Sequence, residues 1–438
     1  MSGNTLDQYA DRYAQRTRGM TASEIRALFA VASRPEVVSL AGGMPYTSAL
    51  PLDAVGAMMG QLVSNGGAAA LQYGSGQGDR RLRERICDVM ALEGIRGASP
   101  DDVVVTVGSQ QALDIVSRVF LDPGDVVLAE GPSYVGALGT FAAAEAEVVH
   151  LPMDGVGLVP AVLTEALERL LREGRRPKFL YTVPNFHNPA GVTLAAARRP
   201  EIVEIAERFD LLVLEDNPYG LLGFDGGTLP ALRSFSETRV IYLGSFSKTF
   251  APGLRVGWVL APHAVREKLV LASEAQVLCP PTYNQLAVAE YLDTQPWFEQ
   301  VKVFRELYRE RRDAMLDALS ALMPEGCSWT HPDGGFYVWL TLPPGLDAKV
   351  MQPRAVHARV AYVPGVGFYA DGTGRRELRL SYCFPEPDRI REGVRRLAGV
   401  VEEELELRAT FLPGRESPES HRLRGSAASA DAPSPDMA

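Results

Sequence analysis

Between about residues 100 and 275, hydrophobic positions gather in short continuous runs: VVVTV at 103–107, VVLA at 126–129, FLYTV at 179–183, LLVLE at 211–215 and VIYLG at 240–244. Each run is too short for a helix and rich in β-branched or aromatic residues, which predicts strands. The segments between them have helical character. Runs that are apolar throughout, rather than alternating, suit strands buried on both faces, so the pattern predicts an α/β fold with a mostly parallel sheet sandwiched by helices. Helical patterns then occupy roughly 282–322. FYVWL (336–340) and ELRLSY (377–382) read as strands of a smaller α+β domain, closed by a helix at about 386–408. Upstream, residues 20–33 read as a short amphipathic helix with Ser23 as its cap, followed by a Gly/Pro-rich stretch from Ala41 to Pro51.

Length narrows the picture: 438 residues exceed one ordinary core and suit a large domain plus a smaller one. A net charge of −10 argues against a nucleic-acid surface, which needs clustered Lys and Arg, while leaving room for a local basic pocket. No apolar run approaches the ~20 residues that span a bilayer, and the polar N-terminus lacks the apolar core of a secretory signal. The four cysteines are scattered without a CxxC pair, and the six histidines show no metal-ligand spacing. A cytoplasmic protein with reduced thiols, no metal, no membrane and no nucleic acid is expected. The stretch from about Pro413 is rich in Ser, Pro, Ala and Gly and predicts a disordered tail.

Ligands of open α/β sheets bind beyond the carboxyl ends of the strands. The residues just after the predicted strands are Ser109 and Gln110, Tyr134, Asn188, Asp216 and Tyr219, then Ser245, Ser247 and Lys248. Five strands thus deliver polar groups to one edge. In GSFSKTFAPGLRVGW (244–258), Lys248 sits among small and hydroxyl residues at a strand end. Lys is rarely buried without a task, and Schiff-base formation by its amine is one. Arg255, with the hydroxyls of Ser245 and Ser247, suits a phosphate dianion. VGSQQALDIV (107–116) opens a helix after a Gly turn, where free N–H groups, the Ser109 hydroxyl and the Gln110 amide make an anion cradle. Asp216, ending a buried strand, could keep a pyridine nitrogen protonated, and Tyr219 and Asn188 could donate to an oxygen on the same ring. Tyr134 could stack on it. Taken singly, each feature has an ordinary structural explanation: a surface Lys and Arg beside a turn, a helix cap, an Asp-Asn-Pro turn, a loop-tip aromatic. Their convergence on one edge is the stronger signal.

As an ordered set, SQQ, PSY, HNPAG, EDNPYG and SFSKTFAPGLRVGW resemble the fold-type I pyridoxal-phosphate aminotransferases over about residues 20–405. ASEIRALF, SLAGGMP and LQYGSGQG resemble the branch with 2-aminoadipate and kynurenine aminotransferases. The resemblance implies an aspartate aminotransferase-like fold with a seven-stranded sheet. It divides the chain into an N-terminal arm and substrate-covering helix (1–40), a large cofactor-binding domain (41–300), a small domain (301–410) and a tail (411–438). It implies that Lys248 carries pyridoxal 5′-phosphate and shuttles the proton, that Asp216 pairs with the ring nitrogen, and that Tyr219 and Asn188 bond the ring hydroxyl. Ser109, Gln110, Ser245, Ser247 and Arg255 would hold the phosphate. Tyr73 would reach the phosphate of the neighbouring subunit in a homodimer. Arg379 would grip the substrate α-carboxylate, while Gly42 and Arg26 lie on segments that close over the substrate. Two positions depart from the pattern: Asn217 replaces a second acidic residue and is expected to face away from the ring, and Ala27 follows Arg26 where Glu is common.

The implied activity is ping-pong amino transfer between an L-amino acid and a 2-oxo acid, with glutamate and 2-oxoglutarate as one pair. The other pair would be built on 2-aminoadipate, an aromatic or a branched-chain amino acid. Two readings compete with it. One is another reaction on the same cofactor, β-elimination or decarboxylation. The other is a transcription regulator, disfavoured by the acidic charge and by the roughly 20 residues ahead of the first helix.

Overall fold

The computed structural model describes residues 9–19, 28 and 34–411. Most of the helix expected over 20–33, including Ser23 and Arg26, and the expected tail after Phe411 lie outside the described residues. The strands are β1 (Val38–Ser39), β2 (Val103–Val107), β3 (Val126–Gly131), β4 (Glu147–Asp154), β5 (Gly157–Leu158), β6 (Pro177–Thr182) and β7 (Leu212–Asp216). They continue with β8 (Val240–Ser245), β9 (Val256–Leu260), β10 (Ser328–Trp329), β11 (Tyr337–Thr341), β12 (Val360–Ala361), β13 (Val363–Pro364) and β14 (Glu377–Ser381). The helices are α1 (Leu52–Gly66), α2 (Arg80–Ala91), α3 (Gly108–Phe120), α4 (Val135–Ala143), α5 (Pro160–Arg172) and α6 (Arg198–Arg208). After these come α7 (His263–Val277), α8 (Thr282–Thr294), α9 (Trp297–Leu322), α10 (Ala348–His357) and α11 (Pro387–Phe411).

The large sheet runs β2-β9-β8-β7-β6-β3-β4-β5. Strands β8, β7, β6, β3 and β4 pair in parallel, β9 is antiparallel to both neighbours, and the two-residue β5 hairpins back onto β4 as an eighth strand. Every residue of β8 and β9 is buried, as are Val213–Asp216 of β7, which explains why these strands read as unbroken apolar runs. Helix α3 leaves the sheet directly after β2, and Asp79 caps α2 by accepting from the Leu82 N–H at 2.9 Å.

A second sheet of four strands, ordered β10-β11-β14-β13, stands apart from the large one. Helix α9 buries Val301, Phe304, Tyr308, Arg311, Met315 and Leu319 at three- and four-residue spacing, one face of a helix. Strand β1 pairs with β12, and Leu40 accepts from the Ser381 N–H at 2.7 Å. Residues 41–44 are thereby led from this smaller unit past the carboxyl edge of the large sheet. Among the described residues no helix is long and apolar enough to cross a membrane.

Candidate active site

A cavity of about 280 Å³ opens at the carboxyl ends of β2, β6, β7 and β8, and the smaller unit covers it with Tyr337 and Arg379. Strand pairing sets these two side chains together. In the antiparallel β11/β14 ladder Trp339 faces Arg379 and Tyr337 faces Ser381. Tyr337 and Arg379 are therefore diagonal neighbours on one face, with the guanidinium 4.2 Å from the ring centre.

Lys248 stands in the turn after β8, half-buried, its Nζ donating to Gly43 O at 2.9 Å. Burial lowers its pKa to about 8, with Arg379 and Arg255 adding to the fall and Cys383 and Asp216 opposing it. Asp216 ends β7 and is buried. Tyr181 Oη on neighbouring β6 donates to its Oδ2 at 2.9 Å, whereas its Oδ1 is buried without a hydrogen-bond partner. Burial raises the Asp216 pKa to about 7, opposed by the Tyr181 hydrogen bond and the Lys248 charge. An orphaned carboxylate oxygen in a dry cavity costs free energy unless a donor arrives there.

Asn188 and Arg379 are coupled: Arg379 Nη1 donates to Asn188 Oδ1 and Nη2 to Ala41 O, both at 2.8 Å, while the buried Nε has no partner. Tyr219 is buried and packs edge-on against Phe336 and Tyr337. Burial raises its hydroxyl pKa well above the ordinary value. Tyr134, at the start of α4, also lines the cavity, with its hydroxyl pushed up to about 12 by burial.

Ser109, Ser245 and Ser247 line the opposite end. Ser245 Oγ accepts from the Ser247 N–H at 3.0 Å, and Ser247 Oγ accepts from Arg255 Nη1 at 3.4 Å. Arg255 has a left-handed backbone, φ 53°, and its Nη2 donates to Val107 O at 3.3 Å. Gly108, which Arg255 crosses closely, has φ 73°, a backbone that glycine takes without strain, so glycine suits the position where α3 begins. The first N–H groups of α3 have no partners within the helix and face this corner with the arginine.

Gln110, Tyr73 and Gly42 do not line this cavity. The Gln110 amide turns from the anion corner: its Nε2 donates to Gly136 O at 3.1 Å and Thr140 Oγ1 at 2.9 Å on α4. Those carbonyl and hydroxyl acceptors need a donor, and only the Gln110 backbone N–H is left for an anion. Tyr73 is 78% exposed and does not line the cavity of its own chain. Gly42 borders a second, mostly apolar cavity of about 590 Å³, which shares Gly43 and Met44 with the first. Tyr181, Tyr337 and the Gly43 carbonyl were not singled out in the sequence. The two tyrosines sit in strand patterns where an aromatic reads as core, and a carbonyl leaves no signature.

The cavity offers a carboxylate oxygen awaiting a donor at one end, an amine near its middle, and hydroxyls with a helix start and a guanidinium at the other. That order fits an aromatic ring bearing a basic nitrogen, an aldehyde and a phosphate, as in pyridoxal phosphate, and the residues that would hold it are present. Among the described residues no acidic, His and Cys cluster could hold a metal.

The profile of aminotransferase class I and II matches residues 36–397. The chain is 41% identical over 403 residues to aromatic-amino-acid aminotransferase 1 of Thermococcus litoralis, covering 92% of this chain and 96% of that one. It is 37% identical to the 2-aminoadipate transaminase of Thermus thermophilus, over 89% of this chain and 96% of that protein. Among solved structures, the Pyrococcus horikoshii kynurenine aminotransferase, in complex with PMP, superimposes with a TM-score of 0.86 at 39% identity, covering 91% of this chain and 99% of that one.

Proposed function

Because the chain belongs to the class I and II aminotransferases and is a pyridoxal-phosphate enzyme of fold type I, we propose that it exchanges amino groups between glutamate/2-oxoglutarate and a second pair by a ping-pong cycle. The second amino acid is 2-aminoadipate, an aromatic or a branched-chain one. The observation that carries this reading is the guanidinium of Arg379, held by Asn188 and Ala41 at the cavity roof beside Lys248. A fixed, bidentate cation is what a carboxylate common to all amino and 2-oxo acids requires.

When bound, pyridoxal phosphate supplies an aldehyde carbon that accepts the amino group and a ring that draws electron density from the substrate α-carbon. The chain's residues do the rest. Asp216 Oδ1 would take the ring nitrogen's proton as a hydrogen bond, a charge-assisted contact contributing about 1.5–3 kcal/mol. Tyr181 steadies that carboxylate from its other oxygen. Tyr219 and Asn188 would hold the ring hydroxyl, Tyr134 would cover the ring face, and Ser109, Ser245, Ser247, Arg255 and the start of α3 would hold the phosphate. Arg379 fixes the α-carboxylate and thereby directs the α-hydrogen to Lys248 Nζ. An amine whose pKa is lowered to about 8 is poised to take and return that proton near neutrality.

Tyr73, exposed on its own subunit, would complete the phosphate site of a second copy, making a homodimer the active form. The second cavity, lined by Val37, Val38, Tyr46 and Phe384 with Arg34 and Arg389 at its edge, gives an aromatic or acidic side chain room beyond Gly43. Arg26, on the preceding segment, would pair with a distal carboxylate. A half-reaction screen tests the reading: bleaching of the cofactor's visible band should follow addition of glutamate and of at least one of 2-aminoadipate, an aromatic or a branched-chain amino acid. Arg26→Ala should lower kcat/KM for acidic substrates about tenfold relative to apolar ones, the scale of one hydrogen bond to a charged group. Release of ammonia or CO₂, with no glutamate formed from 2-oxoglutarate and any amino acid, would replace amino transfer with elimination or decarboxylation.

A further inference from the structure

Behind Asp216, on the side away from the cavity, lies a buried polar chain that no step above uses. Asn217 follows Asp216 directly. Its Nδ2 donates to Glu93 Oε1 at 2.7 Å, and its Oδ1 accepts from Asn185 Nδ2 at 2.9 Å. Asn185 Oδ1 in turn accepts from Arg199 Nη2 at 2.6 Å, and Tyr242 Oη donates to Glu93 Oε2 at 2.5 Å. Glu93, Asn185, Arg199 and Asn217 are 3%, 3%, 0% and 5% exposed. The turn after Asp216 closes tightly over this carboxylate: a Cβ on Gly220 would stand 1.8 Å from Glu93 Oε1.

The chain has a direction. Arg199 can only donate, so Asn185 must present its oxygen to it and its amine to Asn217. Asn217 must then present its amine to Glu93, which as a carboxylate can only accept. Each amide is thus locked in one orientation by its neighbours. The two asparagines belong to different turns: Asn185 to the one that carries Asn188, Asn217 to the one that carries Asp216. Asn188 and Asp216 line the same cavity and would hold the same ring.

We propose that Asn217 is a positioning residue for pyridoxal phosphate: the one-way hydrogen-bond chain from Arg199 to Glu93 fixes the turns bearing Asn188 and Asp216 and so sets how long the cofactor stays bound. The inference rests on cofactor binding and is independent of the substrates proposed above.

Reversing one link tests it. Asn217→Asp replaces a donor by an acceptor and sets a carboxylate against Glu93. The charged and titratable groups around that pair are Tyr242 on β8, Arg199 on α6 and Glu215 on β7, whose own oxygens accept from the Leu232 and Arg233 N–H groups at 2.9 Å. Burial already pushes Glu93 up to about 7, against the pull of Tyr242 and Asn217. Two buried carboxylates there must share a proton or separate.

The Asn217→Asp holoenzyme should release its cofactor about tenfold faster than the parent at about pH 8.5, the scale of one broken buried hydrogen bond. The gap should narrow at about pH 6, where a shared proton remakes the link. Glu93→Gln combined with Asn217→Asp restores a donor facing an acceptor, since the glutamine amine meets the new carboxylate and its oxygen still accepts from Tyr242. This double variant should return to within about threefold of the parent at both pH values. Release is followed by loss of the visible band on dialysis, with melting temperatures of the apoproteins in parallel. Parental release rates in Asn217→Asp at both pH values overturn the proposal. So does a lower melting temperature with no pH-dependent change in release, which marks a merely structural role. If Asn217→Asp does not fold, the double variant decides alone: its failure to fold or rapid release overturns the proposal, and retention supports it.

Discussion

Lys248→Met is expected to lower kcat by about 10⁴-fold, the upper range for losing a positioned acid–base group, and to remove the visible band of the lysine-bound cofactor. Methionine keeps an unbranched side chain of similar length while deleting the amine, whose Nζ lies 5.5 Å from the centre of the Phe336 ring. Turnover and absorbance of the purified variant are the measurements, and a yellow, active variant would exclude Lys248 from both roles. Borohydride treatment of the parent, followed by digestion, should place the cofactor on the peptide that contains Lys248.

The same substitution has a consequence for stability whose sign follows from burial. The parent apoprotein holds Lys248 with its pKa lowered from 10.5 to about 8, so at pH 7 the fold carries a charge that it disfavours. The unfolded chain keeps its proton up to the ordinary value. As pH rises through about 8 the folded state sheds the proton while the unfolded state retains it, and the parent gains stability over that window. Apoprotein of Lys248→Met should therefore melt no lower than parental apoprotein at pH 7, with any advantage shrinking toward pH 10. A variant much less stable at pH 7 would mean that the Gly43 hydrogen bond outweighs the burial of charge.

Which parts of this site the sequence revealed depended on how each residue is carried. Lys248, Asp216, Ser109 and Asn188 follow strands that are apolar throughout, so the run itself marked the edge on which they emerge. Strand β4 gave no such run: His150, Pro152 and Asp154 break it, because it lies toward the side of the sheet where one face is partly exposed. Strand β9 was hidden inside the motif that contains Arg255, where the glycines read as a turn. Tyr181 and Tyr337 show why a pattern cannot find every functional group. Each occupies a strand position where an aromatic ring is ordinary core, and only the pairing of β6 with β7, or of β11 with β14, brings its hydroxyl or ring to the site. Gln110 shows the converse. Its place at a helix start suggested an anion, but the acceptors that take its amide lie 26 and 30 residues away on α4, and no local signal announces them. Arg379 was legible only through the resemblance, since an arginine in a five-residue strand is unremarkable until the strand is known to roof a cavity.

Arg379→Ala should raise KM for every amino acid and 2-oxo acid together, costing about 3 kcal/mol, or roughly 10²-fold in kcat/KM. The loss is shared because the residue contacts the one group that all these substrates have in common. Its expected size follows from the roof of the cavity. Arg379 is 1% exposed, its two terminal nitrogens are already directed by Asn188 and Ala41, and the Nε lacks a partner, so the cation is oriented before substrate arrives. Arg379→Lys keeps the charge but not the planar pair of donors, and a lysine cannot bond Asn188, Ala41 and a carboxylate in the same geometry. It should recover less than about a tenth of the lost kcat/KM, which steady-state kinetics on glutamate and one apolar substrate would measure. Arg379→Ala also removes the donor to Asn188 Oδ1, so a modest change in the cofactor's visible spectrum should accompany its kinetic loss. A variant whose KM rises for acidic substrates alone would place Arg379 at the distal carboxylate instead, and the α-carboxylate would need another cation.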